Sequence, residues 1–168
     1  KKRGGGGVDI ANCVDQLSRL LTYIIARAAG MPERVLNTYQ KFQEQLVIQN
    51  TIAGGVGMPY KRRCGIPQGD PLSIMMTALL LRPWVKMIKE MGLKPYILAD
   101  DILMQASGPN MLRTFADGLR ETHKFLITMG ATNAPNKSYN FASTGEARKW
   151  LEDTTWPLVT GLIEVQNN

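Results

Sequence analysis

Apolar residues recur along this chain with two spacings, one of about two residues and one of three to four, and the switches between them outline its elements. Val8-Asp9-Ile10-Ala11 is a short apolar run interrupted by one carboxylate, which reads as a strand. Val14, Leu17, Leu20, Leu21, Ile24, Ile25 and Ala28 follow at helical spacing as far as Gly30, predicting one amphipathic helix. Pro32 suits the first turn of a second helix, continued by Val35, Leu36, Tyr39, Phe42 and Leu46. The β-branched stretch Leu46 to Ile52 reads as a strand ending at Gly54-Gly55, and a loop then runs through Gly57, Pro59 and Lys61 to Arg63.

Pro71 opens a nearly all-apolar helical stretch with Leu72, Met75, Met76, Leu79, Leu80 and Trp84, so that helix should be largely buried. Tyr96 to Ala99 and Ile102 to Met104 read as two strands flanking an acidic turn, Asp100-Asp101. Asn110 is a plausible cap for a helix from Met111 to about Met129, stopped by Gly130. A strand near Ser138 to Ala142, a helix from Glu146 to Leu151 and a strand near Val159 to Val165 complete the chain. The order predicts an α+β fold with helices on one face of a sheet. Four consecutive glycines, Gly4 to Gly7, read as part of a flexible lead-in over residues 1–7, with one folded domain over 8–168.

Composition narrows the class. With 168 residues, 44% hydrophobic and 20% charged, the chain is an ordinary globular domain and not a disordered, collagen-like or coiled-coil one. Cys13, Cys64 and His123 are too few for a disulfide framework or a Cys/His metal site, so a reducing compartment is the default. No run reaches the ~18–20 apolar residues of a membrane-spanning helix, so the chain reads as soluble and intracellular, with nucleus and organelle both compatible. The net charge of +6 is uneven: residues 1–63 hold 10 Lys and Arg against 4 Asp and Glu, while residues 64–168 hold 10 of each. Two basic clusters, Lys1-Lys2-Arg3 and Lys61-Arg62-Arg63, point to a polyanionic partner.

The chemistry lies with the acids. Asp9, Asp100 and Asp101 stand in apolar strand contexts with no basic residue close by in sequence, and such charges call for a cation. Should the Asp9 strand lie beside the Asp100 hairpin, two or three carboxylates converge on a hard ion such as Mg²⁺. The segment Cys64-Gly65-Ile66-Pro67-Gln68-Gly69-Asp70-Pro71-Leu72-Ser73 adds a glycine-flanked loop that feeds a helix and can face a base or nucleotide.

Together these residues resemble the palm of a reverse transcriptase of the non-LTR retroelement or group II intron branch. Within that branch the chain is most similar to retroelement-derived reading frames of dinoflagellate algae. Asp9 to Asp15 is similar to the first palm motif, Gly65 to Ser73 to the second, Leu98-Ala99-Asp100-Asp101 to the catalytic Tyr-Ala-Asp-Asp box, and Asn136-Lys137-Ser138 to the fourth. The likeness spans nearly all of residues 8–165 and rests chiefly on the Pro-Gln-Gly loop followed about 30 residues later by Ala-Asp-Asp. It implies a small, mostly antiparallel palm sheet. It makes Asp9 and Asp100 the metal-bridging catalytic carboxylates for Mg²⁺ or Mn²⁺, Asp101 a third ligand or helper, and Lys137 the acid that protonates departing pyrophosphate. Pro67, Gln68 and Gly69 become nucleotide or template contacts, with Lys61, Arg62 and Arg63 on template phosphates. An RNA template and a DNA primer are the implied partners.

Two positions depart from the family pattern. Val14 stands where an aromatic steric gate is usual, which implies weak discrimination between rNTPs and dNTPs; Leu98 replaces the tyrosine of the catalytic box. Fingers and thumb are expected on other domains or chains. The alternative is a catalytically silent relative serving as a structural or RNA-associated subunit, and an unrelated metal-dependent phosphotransferase ranks last because it leaves the Pro-Gln-Gly loop unexplained. Asp15 is expected to brace the first helix, and Met75, Met76, Trp84, Trp150 and Trp156 to serve packing.

Overall fold

The computed structural model describes residues 2–11, 13–67, 69–131, 133–156 and 163–166, apart from the side chains of Cys13 and Val14. It contains two compact units, Lys1–Cys13 with Leu81–Asn168, and Val14–Leu80. The first unit is built on a five-stranded sheet of β1 (Arg3–Asp9), β4 (Lys94–Leu98), β5 (Asp101–Ser107), β6 (Tyr139–Ala142) and β7 (Glu164–Gln166). The strand order is β4-β5-β1-β6-β7, antiparallel except for the parallel β6–β7 pair. Of the expected last strand, residues 159–162 lie outside the described residues.

The glycine run is not a lead-in. Gly4 to Gly7 are buried within the central strand β1, paired with β5 on one side and β6 on the other. Glycine is a poor strand former, so close packing must offset its backbone entropy. A Cβ on Gly6 would lie 2.9 Å from the Phe115 ring, and one on Gly7 2.7 Å from the Tyr139 ring. The missing side chains let a helix approach one face and aromatic rings lie on the other.

The helical face is an apolar layer of α5 (Met111–Thr128), α6 (Gly145–Asp153) and the later turns of α4 (Ser73–Glu90). Strand alternation sends Val8, Ile102, Met104 and Ala106 into this layer, where Phe115, Leu119, Trp84 and Ile88 are also buried. Trp84 Nε1 donates to Thr122 Oγ1 at 2.9 Å, satisfying the one polar atom of its ring. Helix α4 is less fully buried than its composition implies: Met76, Leu80, Leu81 and Trp84 are inside, while Ile74 and Met75 are exposed. Trp156 packs edge-on against Phe115, whereas Trp150 is partly exposed, so the packing role fits Trp84 and Trp156 better than Met75 and Trp150.

The second unit holds α2 (Arg19–Ala28), α3 (Glu33–Gln45), the small hairpin β2 (Thr51–Ile52) and β3 (Gly55–Val56), and the loop leading into α4. The single helix expected from Val14 onward is two, because Ser18 ends α1 (Cys13–Gln16) and caps α2 by accepting from Leu21 N. The strand expected over Leu46 to Ile52 is reduced to its last two residues, turned by Ala53 and Gly54 at positive φ as a type I′ hairpin requires. Leu36, Tyr39 and Gln43 form the buried face of α3, while Val35 and Phe42 are about half exposed. Among the described residues no helix is long and apolar enough to cross a membrane.

Candidate active site

Register places the acids. In the antiparallel β1–β5 pair Asp9 stands directly opposite Asp101, and directly opposed residues share a face, with Cβ atoms about 4.5–5.5 Å apart. Both belong to the sheet face opposite the helices, since their neighbours Val8 and Ile102 point into the core. Asp100 occupies the two-residue turn between β4 and β5, closed by the Leu98–Asp101 pair. Ala99, its partner in that turn, has φ +56°, a conformation that costs a residue with a Cβ ~1–2 kcal/mol. Asp101 is thus the first residue of β5, and the acidic pair straddles the turn and the strand.

The Asp101 carboxyl is held above its ordinary pKa, first by partial burial and then by the charges of Asp100 and Asp9, with Lys137 opposing. Asp101 therefore feels both other acids as well as Lys137. Lys137 is brought to them by a strap: after Asn133 bridges to Ile10, Ala134 N donates to the Asp9 carbonyl at 2.9 Å. Asp9 N donates to Ser138 Oγ at 3.3 Å, and Ser138 Oγ donates to the Ala134 carbonyl at 2.8 Å. The 3-10 turn Pro135–Lys137 lies within this strap and puts the exposed Lys137 beside a cleft of about 320 Å³. Asp9, Asp101, Leu98, Tyr96, Leu103 and Tyr139 line the same cleft. Ser138 is the residue whose function as a brace of Asp9 was not apparent from its place in a motif.

Among the described residues, no group of three His, Cys, Asp or Glu side chains is closed around a metal-sized point. The donor set nonetheless fits a hard cation of the Mg²⁺ type. Such an ion keeps several waters and uses one or two carboxylates together with substrate phosphates, and it would offset the charge that Asp100 and Asp9 place on Asp101.

The other residues singled out from the sequence belong to the second unit. Gly65 has φ +75°, and a Cβ there would run into the Asp15 backbone. Its N–H donates to the Leu17 carbonyl at 2.9 Å. Arg19, unremarked in the sequence, donates to the carbonyls of Gly65 (2.7 Å), Gln43 (3.0 Å) and Arg62 (3.0 Å), knitting α2, α3 and the basic segment together. Asp70 anchors the loop's far end: it accepts from Tyr39 Oη at 2.9 Å, Gln43 Nε2 at 2.5 Å and Leu72 N at 2.8 Å. Burial and the Asp70 carboxylate raise the Tyr39 pKa, so its hydroxyl stays a donor.

Within the basic triplet, Lys61 and Arg63 are exposed, but Arg62 Nη1 is paired with Asp15 Oδ1 at 2.7 Å. That pairing makes Arg62 a brace of the loop rather than a phosphate contact, and it gives Asp15 its bracing partner. Pro67 is half-buried and Gly69 exposed. Gln68 lies outside the described residues, and so does the side chain of Val14, whose backbone is in α1.

No protein-family model matches this chain, and no curated protein matches its sequence. Solved structures do share its fold. Apo telomerase from Candida tropicalis, truncated from its C-terminal domain, superposes with a TM-score of 0.67 at 16% identity, covering 86% of this chain and 31% of that one. Candida tropicalis telomerase in complex with a TWJ fragment of telomeric RNA gives 0.68 at 14% identity over 86% and 26%. The corresponding Candida albicans complex gives 0.66 at 16% over 83% and 28%. The chain thus shares its α+β fold with part of these telomerases, and it spans between a quarter and a third of the proteins it matches.

Proposed function

We propose that this chain is the palm part of an RNA-directed DNA polymerase, retroelement-derived, that moves a nucleotidyl group from a dNTP to a primer 3′-hydroxyl. The observation that carries the reading is the register pair Asp9–Asp101, with Asp100 in the adjoining strained turn. Fold likeness to telomerases, two of them bound to telomeric RNA, supports an RNA template as partner.

Asp9, Asp100 and Asp101 would together hold Mg²⁺ or Mn²⁺. Held there, such ions would supply Lewis-acid stabilisation of the attacking and leaving oxygens. The chain's own contribution is placement. The β1–β5 ladder fixes two carboxylates at strand spacing, and the strap through Ser138 holds the Asp9 backbone from the other side. The primer 3′-hydroxyl gives up its proton to solvent, its oxygen forms a bond to the α-phosphorus, and the bond from that phosphorus to the bridging oxygen breaks, releasing pyrophosphate. Lys137, exposed at the cleft rim, can give the departing pyrophosphate its proton. Pro67, Gln68 and Gly69 serve the nucleotide or template, with Lys61 and Arg63 on template phosphates, a contact weakened by salt.

The absence of a closed three-acid group among the described residues favours a second reading, a catalytically silent relative acting as a structural or RNA-associated subunit. Primer extension on an RNA template with Mg²⁺ or Mn²⁺ separates the two, tested beside Asp100→Asn. Incorporation by the parent and its loss in the variant support the polymerase; no incorporation by either, or equal activity in both, supports the silent subunit.

A further inference from the structure

Helix α5 carries a second face beside the one that packs on the sheet. Ala116, Arg120 and His123 recur along it at three- and four-residue spacing. With Trp150 of α6, and Thr154 and Trp156 just after that helix, they line a cavity of about 220 Å³ within the first unit. The cavity is on the helical side of the sheet, away from the face of Asp9 and Asp101.

Packing leaves two of these side chains incomplete. His123 is 3% exposed, and its Nε2 has no hydrogen-bond partner among the described residues, a cost that a bound polar group would remove. Trp150 is 38% exposed, a large ring only partly covered by the protein. Trp156, by contrast, is fixed edge-on against Phe115, with ring centroids 6.3 Å apart. Water alone suits the space poorly, because it needs ~2–4 polar partners and the Thr154 hydroxyl already donates to the Trp150 carbonyl at 2.6 Å.

The walls define the chemistry of an occupant. An apolar cavity of ~150 Å³ takes benzene, so this one has room for a substituted aromatic ring. Two indoles favour a flat aromatic partner. A charged ligand is disfavoured, since the Arg120 guanidinium is already paired with Asp117 Oδ1 at 2.9 Å and Glu121 Oε1 at 3.5 Å. Burial holds the His123 pKa down to about 4, so at neutral pH its two ring nitrogens are one donor and one acceptor. A hydroxyl both donates and accepts, and therefore suits either nitrogen.

We infer that this cavity is a binding site for a small neutral aromatic compound bearing a hydroxyl, of the phenol class. Its ring lies against Trp150 and Trp156, and its hydroxyl bonds to the His123 imidazole. None of these residues takes part in the polymerase reaction proposed above.

The test compares 4-fluorophenol with 4-fluorotoluene, nearly the same shape with a methyl in place of the hydroxyl, each titrated into the full chain and followed by ¹⁹F NMR. A purely apolar cavity prefers the toluene, because a hydroxyl is costlier to strip of water. The parent should instead bind 4-fluorophenol about fivefold more tightly, the worth of one hydrogen bond. His123→Leu should reverse that preference while still binding 4-fluorotoluene. Trp150→Ala, which alters a partly exposed ring, should weaken both compounds about tenfold. A further readout needs no variant: nuclear Overhauser contacts should join the 4-fluorophenol ring protons to the Ala116 methyl and the Trp150 indole. Tighter binding of 4-fluorotoluene by the parent, a phenol preference kept in His123→Leu, unchanged affinities in Trp150→Ala, contacts confined to other residues, or no binding by the parent would each overturn the site. Neither metal nor nucleotide is present, so the outcome is independent of primer extension.

Discussion

Asp9 and Asp101 stand opposite one another across the β1–β5 pair, on the sheet face away from the helices. The Asp101 carboxyl is held above its ordinary pKa, first by burial and then by the charges of Asp100 and Asp9. For an acid the sign is simple. A folded-state pKa above the unfolded value means that ionised Asp101 opposes folding, and this opposition fades as pH falls through the raised pKa.

Removing that charge should therefore stabilise the metal-free protein. Asp101→Asn is expected to raise the thermal midpoint without metal and to abolish the further rise that Mg²⁺ gives the parent. At about 100 times its Kd a ligand adds about 2.7 kcal/mol, or roughly 5–10 °C for a chain of this size. The parent's Mg²⁺ shift should shrink as pH is lowered through the Asp101 titration. Calorimetry with and without Mg²⁺ checks both, and an unchanged metal shift in the variant would contradict the assignment.

The turn beside the pair stores strain. Ala99→Gly at φ +56° should raise stability by about 1 kcal/mol, or roughly 2–4 °C, because glycine accepts that conformation freely. If the strain serves to hold Asp100 in place, extension activity should fall in the same variant. Denaturant melts and single-nucleotide incorporation rates measure the two effects independently.

His123 predicts an acid limit. It is buried on α5 with Nε2 unpartnered among the described residues, and burial lowers its pKa from 6.5 to about 4. The folded state keeps the ring neutral, so stability falls as pH drops below 6.5, and the loss is complete near pH 4. A shift of that size amounts to about 3 kcal/mol. His123→Leu should flatten the stability profile across this window in urea melts at successive pH values.

By the resemblance to a reverse-transcriptase palm, Val14 stands where that family carries an aromatic sugar gate. The expected outcome is comparable incorporation of rNTPs and dNTPs, with Val14→Phe restoring a preference for dNTPs. Single-nucleotide extension with each substrate measures the ratio, and a strong dNTP preference in the parent would contradict it.

The acidic hairpin was readable because two signals coincide there: alternating apolar residues on both sides and a turn-forming acidic pair. The glycine strand was not. Local propensity makes Gly4 to Gly7 a poor strand, and only the approach of Phe115 on one side and Tyr139 and Phe141 on the other reverses it. Pairing between distant residues was hidden for the same reason. Nothing in the triplet Lys61 to Arg63 distinguishes Arg62 from its neighbours until Asp15 is seen against it, and Arg19 and Asp70 look like ordinary surface charges until their hydrogen bonds are traced. The site residues Asp9, Asp100, Asp101 and Lys137 came together because motif order carries topology, which helix and strand periodicity alone do not.

The most direct measurement of the central claim is Mn²⁺ binding by electron paramagnetic resonance in the presence of a dNTP, for the parent, Asp9→Asn and Asp101→Asn. The account predicts bound Mn²⁺ in the parent and its loss, by tenfold or more in affinity, in both variants. Bound Mn²⁺ of equal affinity in all three, or none in the parent, would contradict a carboxylate-held metal site at the Asp9–Asp101 pair.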